Sequence, residues 1–349
     1  MVYYNAPCFN LSRNIMKYLI TGGAGFIGSN FVHYIMKKYP EAQVINLDKL
    51  TYAGNLDNVK EFENNPRYQF IKADIADAAI VNDIFKAGID YCVNFAAETH
   101  VDRSIGNPQD FITTDIFGTY VLLEAAKNFP IKKFIQISTD EVYGTIEHGR
   151  SSVETDQLLP RNPYSASKAG ADRLAYSYFA TYEIPLNITR ASNNYGFYQY
   201  PEKLIPLFIT NLMENKPVPI YGDGKNIRDW LHVQDHCAGI DCVIQNGING
   251  EVYNIGGGNE RENIEIVNII FDHLKKPDSL KNYVKDRAGH DRRYSLSSQK
   301  TMKLGWQPNH NFEDAIRETI DWYVNNKWWW EKLKSGEYLE YYKKQYVDR

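Results

Sequence analysis

Eleven residues near the start constrain this chain more than any others: Tyr18-Leu19-Ile20-Thr21-Gly22-Gly23-Ala24-Gly25-Phe26-Ile27-Gly28. A short apolar run enters a glycine-rich turn and passes at once into an amphipathic stretch, Gly25–Lys37. A strand must therefore hand over to a helix through backbone that glycine allows. Gly22 permits the tight turn, Gly25 lets backbone approach a pyrophosphate, and Gly28 lets the helix lie on the strand. The helix N-terminus offers unpaired N–H groups and a partial positive charge to phosphates. A glycine turn alone would serve any tight loop, so its surroundings decide. Asp48 lies 20 residues beyond Gly28, at the end of a second apolar run. A carboxylate there accepts from the ribose hydroxyls of an adenosine and repels a 2′-phosphate. No Arg stands beside it, so the pattern predicts NAD rather than NADP. Asp74, expected to end the third strand, is placed to meet the adenine.

The same alternation continues. Apolar runs at Tyr18–Thr21, Gln43–Leu47, Gln69–Ala73, Tyr91–Ala96, Lys133–Ser138 and Leu186–Arg190 read as strands. Between them Gly25–Lys37, Pro108–Asn128 and Pro163–Tyr182 read as helices. This spacing predicts an α/β fold with a doubly wound, Rossmann-type parallel sheet. After Ser192 glycine-rich turns break the pattern, and helices return at Leu204–Glu214, Asp235–Gln245, Glu262–Leu274 and Phe312–Asn325. The expected organisation is an N-terminal extension (1–15) and a cofactor-binding domain (16–191, rejoined by 233–255). A smaller, interleaved substrate-binding lobe takes 192–232 and 256–349.

Composition narrows the function classes. The 39 Lys and Arg against 43 Asp and Glu leave a charge of −4, which argues against a general binder of nucleic acid or anionic membrane. No apolar run reaches the length of a membrane span, and Met1–Ile15 lacks the pattern of a secretory signal. The 4 cysteines contain no CxxC pair, so neither a disulfide framework nor a metal site is expected. These features point to a soluble, cytoplasmic protein. Trp328-Trp329-Trp330 and the tyrosines after them could stack on bases, but the interspersed Glu331, Glu337 and Glu340 favour an aromatic helix packed on the body. His232 and His236 read as packing or capping residues.

Tyr164 and Lys168 are four apart at the start of a predicted helix and share one face. A free tyrosine is a poor base at neutral pH, and a nearby ammonium stabilises its phenolate. Thr139 falls just past the fifth strand, where open α/β sheets bind ligands. With these residues the chain resembles the extended short-chain dehydrogenase/reductase family. The resemblance rests on the Gly22/Gly25/Gly28 turn, Asn94-Phe95-Ala96-Ala97, Thr139, Tyr164 and Lys168, in that order. Ser138-Thr139-Asp140-Glu141-Val142-Tyr143-Gly144 is similar to the signature of its dTDP-glucose 4,6-dehydratases, in which Asp–Glu follows the catalytic Thr. Further matches are His100–Ser104, Ser192–Gly196, Pro201–Pro206, Arg228–His232 and Asp286–Tyr294, within a resemblance that runs from Met16 to about Tyr323. Phe197 stands where the resemblance expects Pro.

The resemblance implies an NAD-dependent dehydratase acting on dTDP-glucose, and a homodimer. The acid pair has a physical purpose. The C5 hydrogen of an unactivated hexose is not acidic, but oxidation at C4 makes it so. Tyr164 then takes the O4 proton while Thr139 hydrogen-bonds O4. By the assignment the resemblance implies, Glu141 removes the C5 proton and Asp140 protonates the departing C6 hydroxyl. Asp140 must be neutral for that step, through burial or through the charge of Glu141. The resemblance also places Phe26, Ile27, Lys49, Thr51, Ile75, Ala96, Ala97, Thr99, Thr114 and Asn194 with the cofactor. Arg228 and Arg287 are the pyrophosphate candidates of the substrate, since a guanidinium presents several donors in a fixed fork. Asn193 suits sugar hydroxyls. Lys203, Leu204, Pro206, Pro219 and Tyr221 border the base, and His100, Ser104, Asn263, His290, Asp291 and Tyr294 follow by similarity. Two rivals remain: a dehydratase or decarboxylase of a UDP- or GDP-linked sugar, and a catalytically silent NAD-sensing module.

Overall fold

A computed structural model, which describes residues 15–286 and 290–346, sets the glycine turn in the middle of a seven-stranded parallel sheet. Its strands are β1 (Lys17–Thr21), β2 (Gln43–Asp48), β3 (Tyr68–Lys72), β4 (Tyr91–Asn94), β5 (Lys133–Thr139) and β6 (Leu186–Ala191). Four more, β7 (Asn193–Tyr195), β8 (Val218–Tyr221), β9 (Ile227–His232) and β10 (Val252–Ile255), follow in the chain, and β10 closes the sheet. The spatial order β3-β2-β1-β4-β5-β6-β10 reverses direction between β1 and β4, which opens a crevice at the carboxyl ends of the strands. The expected doubly wound fold is the observed one. In β5 six of the seven residues are buried, and in β6 all six are, as a sheet covered on both faces requires.

One face is covered by the helices Phe26–Lys38 and Val233–Asn246, through Phe31, Val32, Ile35, Ile240 and Val243. The other is covered by Ala78–Lys86, Thr119–Asn128 and Pro163–Tyr182, through Val81, Ile84, Leu122 and Ala175. The Ala78–Lys86 helix, short and capped by Asp77, has no counterpart in the sequence reading. β3 ends at Lys72, so Asp74 lies two residues past the strand and not at its end. The chain turns there because Asp74 accepts from Ala76 N at 2.9 Å. The predicted Pro108–Asn128 helix is one helical segment interrupted by a π turn at Ile112–Gly118. A buried ion pair, Arg190 to Asp172 at 2.9 Å, ties β6 to the Pro163–Tyr182 helix.

The second lobe has two small sheets: β7 and β9 with β11 (Glu260–Glu262), and β8 with β12 (Lys281–Val284). Its own core joins Leu207, Phe208, Ile266, Ile270, Ile316 and Ile320. Trp329 and Trp330 are buried in that core, their indole N–H groups donating to Asn58 Oδ1 and Tyr323 O, each at 2.8 Å. Phe197 stacks on Trp322 with ring centres 5.5 Å apart. The N-terminal extension up to Asn14 lies outside the described residues. Among the described residues, no helix is long and apolar enough to cross a membrane, and no cluster of His, Cys, Asp and Glu is arranged to hold a metal.

Candidate active site

The glycine turn is shaped by contact. Gly22 has φ +67°, and a Cβ on it would lie 2.7 Å from Ala96 N; one on Gly28 would lie 2.2 Å from Gly22 O. A larger residue at either position would collide with backbone, so the glycines let the turn, the helix and the end of β4 pack this closely. Asp48 holds this turn as well as facing it. Its carboxylate accepts from Ala24 N at 2.9 Å and from Leu50 N at 2.8 Å. Burial raises its pKa, and the two backbone donors oppose that. Next to it Lys49 pairs with Asp74 at 2.6 Å.

A single cleft runs from this turn to the ends of β5 and β6. It gathers Gly22, Gly25, Phe26, Ile27, Gly28 and Asp48 at one end, and Lys49, Thr51, Asp74 and Ile75 along one wall. Ala96, Ala97, Thr99, Thr114, Tyr164, Lys168 and Asn194 complete it, so all the residues expected at the cofactor line one cavity.

The chemical end is built on three backbone features. β5 stops at Thr139, and Asp140–Tyr143 forms a 3₁₀ turn capped by the Thr139 hydroxyl, which accepts from Glu141 N at 3.2 Å. The same hydroxyl donates to Asp140 Oδ1 at 3.2 Å and shares a hydrogen bond with Tyr164. The helix carrying Tyr164 and Lys168 starts at Asn162-Pro163, with a capping box between Asn162 and Ser165 and Pro in the first turn. Its N-cap also reaches the acid pair: Asn162 Nδ2 donates to Glu141 Oε2 at 3.3 Å. The π turn supplies the third feature. It carries Asp115, whose oxygens accept from Ser167 Oγ at 2.5 Å and Glu98 N at 2.9 Å.

Electrostatics act strongly on Asp140. Asp140 is 4% exposed, and burial followed by the charge of Glu141 holds its pKa well above the usual carboxylate range. That direction favours the protonated form, which a general acid requires. Tyr164 departs from the simple expectation. Burial, then Glu141 and Asp115, pushes its phenol up, and the Thr139 hydrogen bond opposes them. Lys168 acts on Asp115, whose pKa burial raises to about 6 against that ammonium. Glu98, also in the cleft, is raised to about 7 by burial and by Asp115.

This chain matches the family model described as GDP-mannose 4,6 dehydratase over residues 19–319. It is 49% identical to the dTDP-glucose 4,6-dehydratase of Streptomyces antibioticus, over 91% of this chain and 96% of that one. It is 47% identical to the dTDP-glucose 4,6-dehydratase of Escherichia coli, over 93% and 98%. The chain belongs to the dTDP-glucose 4,6-dehydratase family. The fold agrees with solved members: the Bacillus anthracis dTDP-glucose 4,6-dehydratase in complex with NAD superposes with a TM-score of 0.86 at 48% identity, over 91% of this chain and all (100%) of that one. UDP-glucose 4-epimerase from Thermotoga maritima shares the fold at a TM-score of 0.83 but only 28% identity, over 89% and 100%.

Of the residues that likeness to the dTDP-glucose 4,6-dehydratases places at the substrate, Thr99, Thr139, Asn193 and Lys203 line the cleft. Tyr294 donates to Glu141 Oε2 at 3.4 Å and to Asp291 Oδ2 at 2.6 Å, and the Arg228 guanidinium lies 4.3 Å from its ring centre. Asp291, 1% exposed, thus acts on the site through Tyr294. Tyr221 and His290 face each other at 6.1 Å, and His100 adjoins Thr99. The other placements are more remote. Ser104 donates to Val101 O at 2.6 Å inside its own helix, Pro206 is buried, and Pro219 lies on β8 opposite Asn282. Leu204 and Asn263 begin the helices Leu204–Met213 and Asn263–Leu274. Arg287 lies outside the described residues.

Sequence reasoning missed Asp115, Asn162 and Glu98 as members of the site. It also missed the wall formed by Tyr52, Tyr200 and Glu202. The Asn-Pro-Tyr-Ser run could have announced the helix cap; nothing local announces the others. His236, read as a packing residue, is fully buried but lines the cleft and bonds Asn194 Oδ1 at 2.9 Å.

Proposed function

We propose that this protein is an NAD-dependent dTDP-glucose 4,6-dehydratase, converting dTDP-glucose to dTDP-4-keto-6-deoxyglucose and water for deoxysugar biosynthesis. One observation carries the reading: a buried Asp140, its pKa held above the usual carboxylate range, beside Glu141 and in the same cleft as Thr139, Tyr164 and Lys168. A simple oxidoreductase on this fold has no use for a second acid–base pair.

The cleft fits both ligands. Gly22, Gly25 and Gly28 line the cleft at the N-terminus of the Phe26–Lys38 helix, which suits a pyrophosphate. Asn193 Oδ1, Gln199 Oε1 and Asp140 Oδ2 are buried polar atoms of the cleft without a partner among the described residues. Buried polar groups need partners, and the hydroxyls of a hexose would provide them. Gly22, Gly25, Asp48, Tyr164 and Lys168 would hold NAD⁺, which when bound would supply the redox chemistry at C4 and C6.

The side chains do the rest. Thr139 holds O4 and Tyr164 takes its proton. Glu141, oriented by Asn162 and Tyr294, removes the C5 proton made acidic by the ketone. Asp140 protonates the leaving C6 hydroxyl. The segments 16–191 and 233–255 serve the cofactor, and 192–232 with 256–349 the nucleotide sugar. A cytoplasmic location suits a nucleotide-activated substrate and the free thiols Cys92, Cys237 and Cys242. A homodimer would cover Ile112, Phe117 and Tyr120 together with Tyr176 and Tyr182, which are exposed on two adjacent helices.

Incubation with dTDP-, UDP- and GDP-glucose followed by mass spectrometry tests the reading. Loss of one water from dTDP-glucose is expected. Unchanged dTDP-glucose, or preferential loss of water from another nucleotide sugar, would overturn it.

A further inference from the structure

The aromatic segment at the C-terminus does more than fill the core. Trp329 and Trp330 anchor it, and Lys334 fixes the following turn by donating to Glu214 Oε2 at 2.7 Å and Asn211 Oδ1 at 3.0 Å. The helix Glu337–Tyr346 then turns back toward the cleft. Its Tyr342 hydroxyl accepts from the buried Asn211 Nδ2 at 3.1 Å, and its other contacts with the body reach residues that line or border the cavity. The Tyr338 ring packs on Tyr200 at 6.3 Å. Tyr341 meets the His100 ring at 5.3 Å, with its hydroxyl 3.4 Å from His100 Nδ1. The guanidinium of Arg103 is held between the rings of Tyr52, at 3.7 Å, and Tyr341, at 4.6 Å, while it pairs with Glu202 at 3.1 Å. Gln345 Nε2 donates to the Tyr221 hydroxyl at 2.6 Å, and the Tyr346 ring lies 6.0 Å from that of Tyr221. The Tyr221 hydroxyl in turn reaches Asp102 Oδ2 at 3.5 Å.

Two rim segments far apart in sequence, 99–103 and Tyr221, are thus joined through one short helix. An isolated helix of ten residues is marginal in water, so these contacts are what hold it in place. The coupling works both ways: a ligand that fixes the rim fixes the helix. We propose that Glu337–Tyr346 is a working wall of the nucleotide-sugar site, in which Tyr341 and Gln345 are positioning residues that hold His100 and Tyr221 for the nucleoside diphosphate. This rests on the assignment of the cleft to a nucleotide sugar.

The test uses the full chain with NAD and the variants Tyr341→Ala, Tyr341→Phe and Gln345→Ala, with dTDP as the binding probe. Calorimetry should show dTDP affinity reduced about tenfold in both alanine variants, the equivalent of about 1.4 kcal/mol. KM for dTDP-glucose should rise in parallel, with kcat and NAD content held. Tyr341→Phe, which keeps the ring against Arg103 and His100, should recover most of the affinity. In the parent protein, dTDP should slow tryptic cleavage at Lys343. Unchanged dTDP affinity in both alanine variants, or cleavage indifferent to dTDP, would overturn the proposal. So would loss of NAD together with dTDP, because the helix would then be a general scaffold. A parent protein that binds dTDP and protects its C-terminus, yet leaves dTDP-glucose intact, would refute the dehydratase reading and leave the wall standing.

Discussion

Asn162 serves two masters with one amide: its carbonyl caps the helix that carries Tyr164 and Lys168, and its nitrogen donates to Glu141 at 3.3 Å. On the roles proposed above, the same side chain therefore positions both the oxidising pair and the elimination base. Asn162→Ser should keep the cap, since serine is a comparable N-cap, and hold thermal stability. Its shorter side chain cannot reach Glu141, so turnover should fall while Tm holds. Asn162→Ala should lose both, with about 0.5–2 kcal/mol of stability. Thermal unfolding measured beside steady-state kinetics separates the two effects; equal activity in the serine variant would show that Glu141 needs no such support.

Glu141→Gln keeps the shape of the elimination base and removes its function. Overall turnover should drop by about 10²–10⁴-fold, the usual contribution of a general base. Oxidation at C4 remains possible, so enzyme-bound NADH should accumulate and be visible in the near ultraviolet. Tyr164→Phe should abolish that signal. Dehydration at the parent rate in Glu141→Gln would remove Glu141 from its role.

Asp48, proposed above to hold the cofactor, also clamps the glycine turn through Ala24 N and Leu50 N. Asp48→Ala should weaken NAD binding about tenfold or more, the scale of a lost hydrogen bond to a charged group, and should lower Tm as well. Asp48→Arg should shift preference toward NADP. Titration of both cofactors against both variants is the measurement, and unaltered NAD affinity in each would show that Asp48 holds the turn alone.

The buried carboxylate of Asp115 sits between Ser167 and Glu98 and raises the Tyr164 pKa. Asp115→Asn deletes that negative charge and leaves the Lys168 ammonium to act on the phenol. Both changes lower the Tyr164 pKa, so the phenolate forms at lower pH. The acidic limb of kcat/KM against pH should move down by about one unit, the lower end of what a neighbouring charge contributes. A limb that stays in place would uncouple Asp115 from Tyr164.

What could be read from the chain beforehand follows from how local each signal is. Gly22, Gly28 and Asp48 were legible because turn geometry and the strand–helix–strand spacing fix them within one unit. Tyr164 and Lys168 were legible because one helix turn brings them together. The Thr-Asp-Glu run was legible through family likeness, and burial raises the Asp140 pKa in the direction that chemistry calls for. Asp115 was not legible: its partner Ser167 lies 52 residues away, and it is carried by a π turn that no periodicity announces. The same holds for Arg103 with Glu202, 99 residues apart, where only tertiary packing makes the pair. Asp74 was displaced from the predicted strand end because its own carboxylate stabilises a turn there.

The Thr139 hydroxyl, bonded to Asp140 on one side and to Tyr164 on the other, has a consequence for how one turnover leads to the next. On the chemistry proposed above, Glu141 gives its proton back to C5 when the hydride reaches C6, and so ends as it began. Tyr164 does not: the product keeps its ketone, so the proton taken from O4 stays on the phenol. Asp140 ends one proton short, having released it with the departing water. The surplus on Tyr164 and the deficit on Asp140 match, and a single hydroxyl spans them. A site buried at the end of β5 can thus recharge its acid from its own base, and a second molecule of sugar meets the same arrangement of protons as the first.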